Sequence, residues 1–211
     1  MFGGFTTKEK KVDKYLGDLF SSEGLGDSIM ETIHDRAGKV KTAMMEVKGI
    51  MEDFRMQAVG GIMGAWDLWN IASIPSLLTN CGTWTELPRK AVDVCDELQN
   101  FFIRIMLQVL VSTPKVALRV ETGMFRMKQR ILQEKLNIAQ FIRQSGSQSL
   151  AGRVYREQLD QGWPGLAKEV EAICQEIKIN NINEVEVPKL LIKDAISRHH
   201  ATEAKEEMGK K

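Results

Sequence analysis

Cysteine, aromatic residues and long apolar runs are all scarce in this chain, and each scarcity excludes something. The 211 residues include three cysteines, Cys81, Cys95 and Cys174. They are too far apart for a Cys-x-x-Cys motif, and an odd number completes no set of internal disulfides. A reducing compartment is therefore expected, intracellular and either cytoplasmic or nuclear. Aromatics make up 7% of the chain against eleven methionines. A core of Leu, Ile, Val and Met follows, which suits helices better than sheets. The longest uncharged run, residues 68–85, is interrupted by Asn70, Pro75 and Asn80 and makes a poor membrane span. The opening "MFGGFTTKEKK" lacks the apolar stretch of a signal peptide.

Signatures of catalysis are missing as well. There is no adjacent Asp-Asp pair to help hold two divalent ions, no Walker loop, no glycine fingerprint and no G-x-S-x-G. "VGGIMGA" lacks the Lys-Ser/Thr of a phosphate loop and reads as close helix packing at small residues. Asp93, Asp96 and Glu97 fall at helical spacing and read as a solvated face. His34, His199 and His200 read as holding no metal, and Trp66, Trp69, Trp84 and Trp163 as core or interface residues rather than base-stacking platforms. No catalytic residue, metal ligand or cofactor is expected in this chain.

What is present is a globular composition, 43% apolar and 27% charged, with helical patterning. "YLGDLF" alternates weakly before "SSEGLG" and predicts one short strand of about five residues. From a cap at Asp27 or Ser28, apolar residues recur at Ile29, Ile33, Ala37, Val40, Met44, Val47, Met51 and Phe54, one helix face held for seven turns. Shorter helices are expected over 62–72 and 75–80. The next carries Val92, Cys95, Leu98, Phe102, Ile105 and Val109 on one face. Thr113 as N-cap and Pro114 at the first position begin another that stops at Gly123, and one more runs over 125–143. "SGSQS", residues 145–149, is the most linker-like stretch, and three shorter helices follow it. The predicted fold is mainly α, a multi-helix bundle with one short N-terminal strand and a smaller helical C-terminal region. Its expected parts are residues 1–24, 25–144 and 150–208.

Charge is uneven along the chain. Residues 115–156 hold nine basic residues against two acidic ones, a local charge of +7, whereas the flanking stretches are both net acidic. Arg119, Arg126, Lys128, Arg130 and Lys135 fall on consecutive helices meeting at Gly123, an arrangement expected to give one phosphate-neutralising surface.

Three blocks carry a family resemblance. "KVDKYLGDLFSSEGLGDSIMETIHDRAGKVKTAM" resembles the end of the palm in non-LTR (LINE-type) retrotransposon reverse transcriptases, where a strand leads into a long helix. "IPSLLTNCGTWTEL" is similar to the family's Pro-x-Leu-Leu-Tyr-Gly-x-Glu-x-Trp landmark: Pro75, Leu77, Leu78, Gly82 and Trp84 match, while Asn80 and Thr83 stand where the family has Tyr and Glu. "DELQNFFIRIMLQVLVSTPKVALRVETGMFRMKQRILQEKLNIAQFI" is similar to the stretch that follows. The blocks keep the family's order across residues 8–143. The resemblance implies a thumb and C-terminal region of an RNA-directed DNA polymerase, the strand being a remnant of the palm sheet. The palm's aromatic-x-Asp-Asp motif and its Mg²⁺ would lie upstream, so the chain is expected to be inactive alone. Non-specific binding of an RNA or DNA template–primer would fall to Lys39, Lys41, Arg119, Arg126, Lys128 and Arg130. The alternative is a helical protein–protein interaction module, with a protein partner or self-association through its Met- and Trp-bearing faces.

Overall fold

The computed structural model describes residues 12–15, 18–22, 24–53 and 59–209. Residues 1–11 of the expected N-terminal segment, and Phe54 of the long apolar stripe, lie outside them. The fold is mainly α, as composition and periodicity imply.

At the N-terminal end the expected single strand is replaced by two short ones. Strand β1 (Val12–Tyr15) pairs antiparallel with β2 (Asp18–Ser21), in the register Val12↔Ser21 to Tyr15↔Asp18. "YLGDLF" thus contributes Tyr15 to β1 and Asp18–Phe20 to β2, while Leu16 and Gly17 lie outside the described residues. A two-stranded hairpin is marginal alone, and this one is held by α1 (Leu25–Asp53). On the outer edge of β2 the Leu19 N–H donates to Thr32 Oγ1 at 2.7 Å, and the Ser21 N–H donates to Ser28 Oγ at 2.8 Å. Ser28, expected as a cap, thus serves the strand and itself donates to the Gly24 carbonyl. Both hydroxyl residues are buried, and each satisfies a part-buried backbone group on the strand edge. Replacing Thr32 with valine removes the acceptor and keeps the shape. The expected cost is about 1–3 kcal/mol, read as a lowered urea midpoint at unchanged m-value.

Helix α1 buries Ile29, Ile33, Val40 and Met44 at its 3.6-residue spacing, while Val47 is only half-buried. Next come α2 (Val59–Leu68), a wide π turn (Trp69–Ser73) and α3 (Ile74–Leu78), run together where two separate helices were expected. The Ile74 N–H reaches back to the Trp69 carbonyl. Pro75 follows immediately and has no N–H to continue the α ladder, so the widening falls where the proline forces it. Gly64 of α2 has no neighbour within 4 Å of an added Cβ, so close packing is not its role. Trp69 is fully buried and stacks on Phe102 with centroids 4.7 Å apart.

Helix α4 (Arg89–Leu107) buries Cys95, Leu98 and Phe102 as its stripe predicts, and Ala91, Ile103 and Met106 besides. Helix α5 (Lys115–Thr122) ends at Gly123, whose φ of 64° is the left-handed cap the sequence marks. Helix α6 (Met127–Ser145) leads through a 3₁₀ turn at Gly146–Gln148 into α7 (Leu150–Gln161), α8 (Leu166–Glu176) and α9 (Lys189–Gly209). The core of α1 to α5 includes Met127 and Ile131 from α6, whereas Leu132, Leu136 and Ala139 of the same helix join a second core with α7, α8 and α9. Helix α6 therefore belongs to both.

One junction draws the chain together. Arg36, 7% exposed, places Nη2 2.7 Å from Asp18 Oδ1 and donates from Nη1 to the Thr79 carbonyl at 2.6 Å. Its guanidinium lies 5.8 Å from the Trp84 ring centroid, within cation–π range. Asn80 donates to the other Asp18 oxygen at 2.9 Å from a left-handed backbone (φ 63°), a conformation asparagine tolerates better than most residues other than glycine. Gly82 then lies against α6 so closely that a Cβ would sit 2.9 Å from the Glu134 carbonyl oxygen.

Candidate nucleic-acid interface

The basic stretch folds into α5, α6 and α7, and its charges meet acids from elsewhere in the chain. Arg119 is buried and donates to Glu207 of α9 at 3.2 Å. Arg126, at the N-terminus of α6, donates to Asp96 at 3.0 Å and to Glu207 at 2.9 Å. Burial works against its charge, but Asp96, Glu207 and Glu203 more than offset that, and its pKa lies above the ordinary guanidinium value. Lys128 approaches Glu176 at 2.7 Å and Glu203 at 3.7 Å. Lys135 is buried against Glu169, and Lys115 pairs with Glu97.

Arg130 is half-buried and, among the described residues, bonded to Asn70 at 3.4 Å, with its Nε enclosed and without a partner there; desolvation pulls its pKa down. Arg143 spends both terminal nitrogens on the carbonyls of Ile182 and Glu184. Arg153 and Arg156 of α7 remain exposed.

The expected site is thus divided. Arg119, Arg126 and Lys128 are brought together, but under the carboxylates of α9 rather than on an open face. Lys39 is exposed on α1 and held by Asp35 one turn away at 2.5 Å. That hydrogen bond raises the lysine's pKa and, as the largest cause, lowers the carboxyl's. Lys41 lies over the Phe101 ring at 5.4 Å. Two residues apart on a helix, these two lysines do not share a face.

Asp96 corrects the reading of a solvated acidic trio. It is 6% exposed and accepts the Met127 N–H at 2.8 Å, capping α6 from α4, while Asp93 and Glu97 are exposed as expected. Reversing Arg126 to Glu would therefore set three carboxylates against one another, so the fold does not tolerate that change as a free basic residue would. The sequence signal that was missed is acidic residues lying outside the basic stretch: among the described residues, the carboxylates that pair with it belong to residues 96–97 or 169–207.

A second feature is apolar. Val40, Met44, Trp69, Phe102 and Met106 line a cavity of about 190 Å³ between α1, the π turn and α4, with Val47 and Leu68 also on its wall. Leu68 and Ile71 beside it are exposed. Trp66 is half-buried, Trp84 is buried and Trp163 is exposed. Among the described residues, no helix is long and apolar enough to cross a membrane.

Comparison with known protein families, with curated proteins and with solved structures returns no match.

Proposed function

We propose that this chain is the thumb and C-terminal part of a retrotransposon-type RNA-directed DNA polymerase, without polymerase activity of its own, and that it retains weak, sequence-independent affinity for the nucleic-acid backbone. The observation that supports this reading is the junction around Arg36. Asp18 and Arg36 come from the first resembling block, Thr79, Asn80, Gly82 and Trp84 from the second, and Glu134 from the third. Residues from all three resembling blocks, more than a hundred positions apart in sequence at the extremes, meet in one close-packed unit. Polymerase chemistry needs carboxylates converging on paired divalent ions, and the resemblance puts those on the palm upstream.

The test is titration of an RNA–DNA hybrid duplex by fluorescence anisotropy at low salt. Weak binding without sequence preference is expected, and engaging about four phosphates gives a log–log salt slope of roughly −3 to −4. Template-dependent primer extension by this chain with Mg²⁺ or Mn²⁺ would overturn the inactive part of the reading.

The apolar cavity favours a second reading, a helical module that takes a protein partner against α1 and the π turn. Under that reading the exposed pair Leu68 and Ile71 carries binding, and hybrid duplex does not bind.

A further inference from the structure

We infer that Glu176, His199 and Glu203 form a divalent-metal site, and that Zn²⁺ is the ion it fits best. His199 and Glu203 lie one turn apart on α9, and Glu176 ends α8 beside them. One ligand atom from each falls within 4.8 Å of the other two. The site is separate from the polymerase-fragment reading and stands or falls without it. It runs against the reading that these histidines hold no metal, since His199 and Glu203 are i and i+4 on a helix.

The distances point to a metal. His199 Nε2 is 3.3 Å from Glu176 Oε1 and 3.5 Å from Glu203 Oε1. Ligands held tetrahedrally about 2.0–2.1 Å from Zn²⁺ lie roughly 3.3–3.4 Å from one another. The same Nε2 is closed to solvent and makes no hydrogen bond, although two carboxylate oxygens are this near. An Nε2 enclosed beside two carboxylate oxygens and hydrogen-bonded to neither is available to share a cation with them.

Charge and second partners agree. The two carboxylates bring a charge of −2, and the Lys128 ammonium beside them supplies +1 from 2.7 Å and 3.7 Å, while Arg126, paired with Asp96 and Glu207, adds a longer-range attraction to Glu203. Lys128 sits on a flexible stem with its side chain 35% exposed, so a divalent ion can displace it outward. Gln129, fully buried, donates to Glu203 Oε2, which fixes that carboxylate with Oε1 toward His199. One imidazole with two carboxylates suits Zn²⁺ and its first-row neighbours rather than Ca²⁺ or Mg²⁺, which take oxygen alone. Exposed Glu176 leaves the fourth position to water. Metal here would tie α8 to α9, and so brace the helix that covers the arginines of α5 and α6.

The test uses the full chain, stripped with chelator and titrated with Co²⁺, then Zn²⁺. Expected is one Co²⁺ per chain with the visible absorption of a tetrahedral ion, lost on adding Zn²⁺. His199→Ala and Glu203→Gln each weaken binding by about tenfold or more. Lys128→Met tightens it, because the competing ammonium is gone. That sign separates the two explanations: in a network that is only ion pairs, Lys128→Met strands two carboxylates and destabilises the chain with no metal bound. Absence of Co²⁺ absorption in both the wild type and Lys128→Met would overturn the inference, as would binding that survives both ligand substitutions. Neither the wild-type nor the Lys128→Met measurement removes a ligand, so misfolding of the ligand variants leaves a decisive result.

Discussion

Valine in place of Gly82 is expected to cost roughly 3 kcal/mol or more, at or beyond the upper end of typical overpacking, and to leave the chain largely without cooperative unfolding. An added Cβ would stand 2.9 Å from the Glu134 carbonyl oxygen, 3.0 Å from Ile138 Cγ2 and 3.2 Å from the Glu134 carbonyl carbon. Two of those atoms are helix backbone and cannot swing aside as a flexible side chain does. The 3₁₀ turn at Cys81–Thr83 would have to lift off α6, and buried Cys81 and Trp84 would move with it. Gly38 is the control. It lies on the exposed side of α1 with nothing within 4 Å of an added Cβ, so Gly38→Ala should stabilise by about 0.5–1 kcal/mol. Urea unfolding of both variants checks the contrast, and equal behaviour would show that Gly82 is not in close contact with α6.

Asp18→Ala carries the second large effect, about 3–5 kcal/mol, because it takes away the carboxylate that faces the buried Arg36 guanidinium. The Asn80 amide loses its acceptor in the same step. Arg36→Met should destabilise less, since the carboxylate it leaves behind is 21% exposed and water can reach it. Combining Asp18→Ala with Arg36→Met should cost less than the sum of the two, with a coupling of about 1–3 kcal/mol in a double-mutant cycle. Additive effects would mean that the Asp18–Arg36 pair contributes no coupling between hairpin and helix.

The helical part of this architecture is written in local patterns. Ile29, Ile33, Val40 and Met44 on α1, and Cys95, Leu98 and Phe102 on α4, repeat at the period of a helix face, and Gly123 marks its cap by residue type alone. The hairpin is not local in that sense. Four-residue strands hold too few alternations to signal themselves, and β2 depends on hydroxyls of α1 that the pattern of the strand does not contain. The π turn follows from Pro75, while the stack of Trp69 on Phe102 that holds its first residue in the core is a long-range contact the local pattern does not contain.

Charge misled most. Five of the nine cations in the +7 run are paired in space with Asp96, Glu97, Glu169, Glu176, Glu203 and Glu207, and no window on the sequence brings those together. The candidate site is accordingly legible as a set of cations and illegible as a surface. Lys39 and Lys41 stay exposed, Arg119 and Arg130 are withdrawn, and Arg126 is committed to Asp96 and Glu207.

That commitment makes Glu207 the residue on which the nucleic-acid reading turns. It accepts from both Arg119 and Arg126 at the outer end of α9, so Glu207→Gln removes one negative charge that competes with phosphate for two guanidiniums. The direct measurement is the affinity of wild type and Glu207→Gln for the same RNA–DNA hybrid duplex, each followed across a salt series. Backbone binding through the α5–α6 face predicts that the variant binds several-fold tighter at low salt, with a steeper salt slope as an additional contact with phosphate forms. Undetectable binding by both proteins at low salt, with the circular dichroism of a folded helical chain, would contradict it.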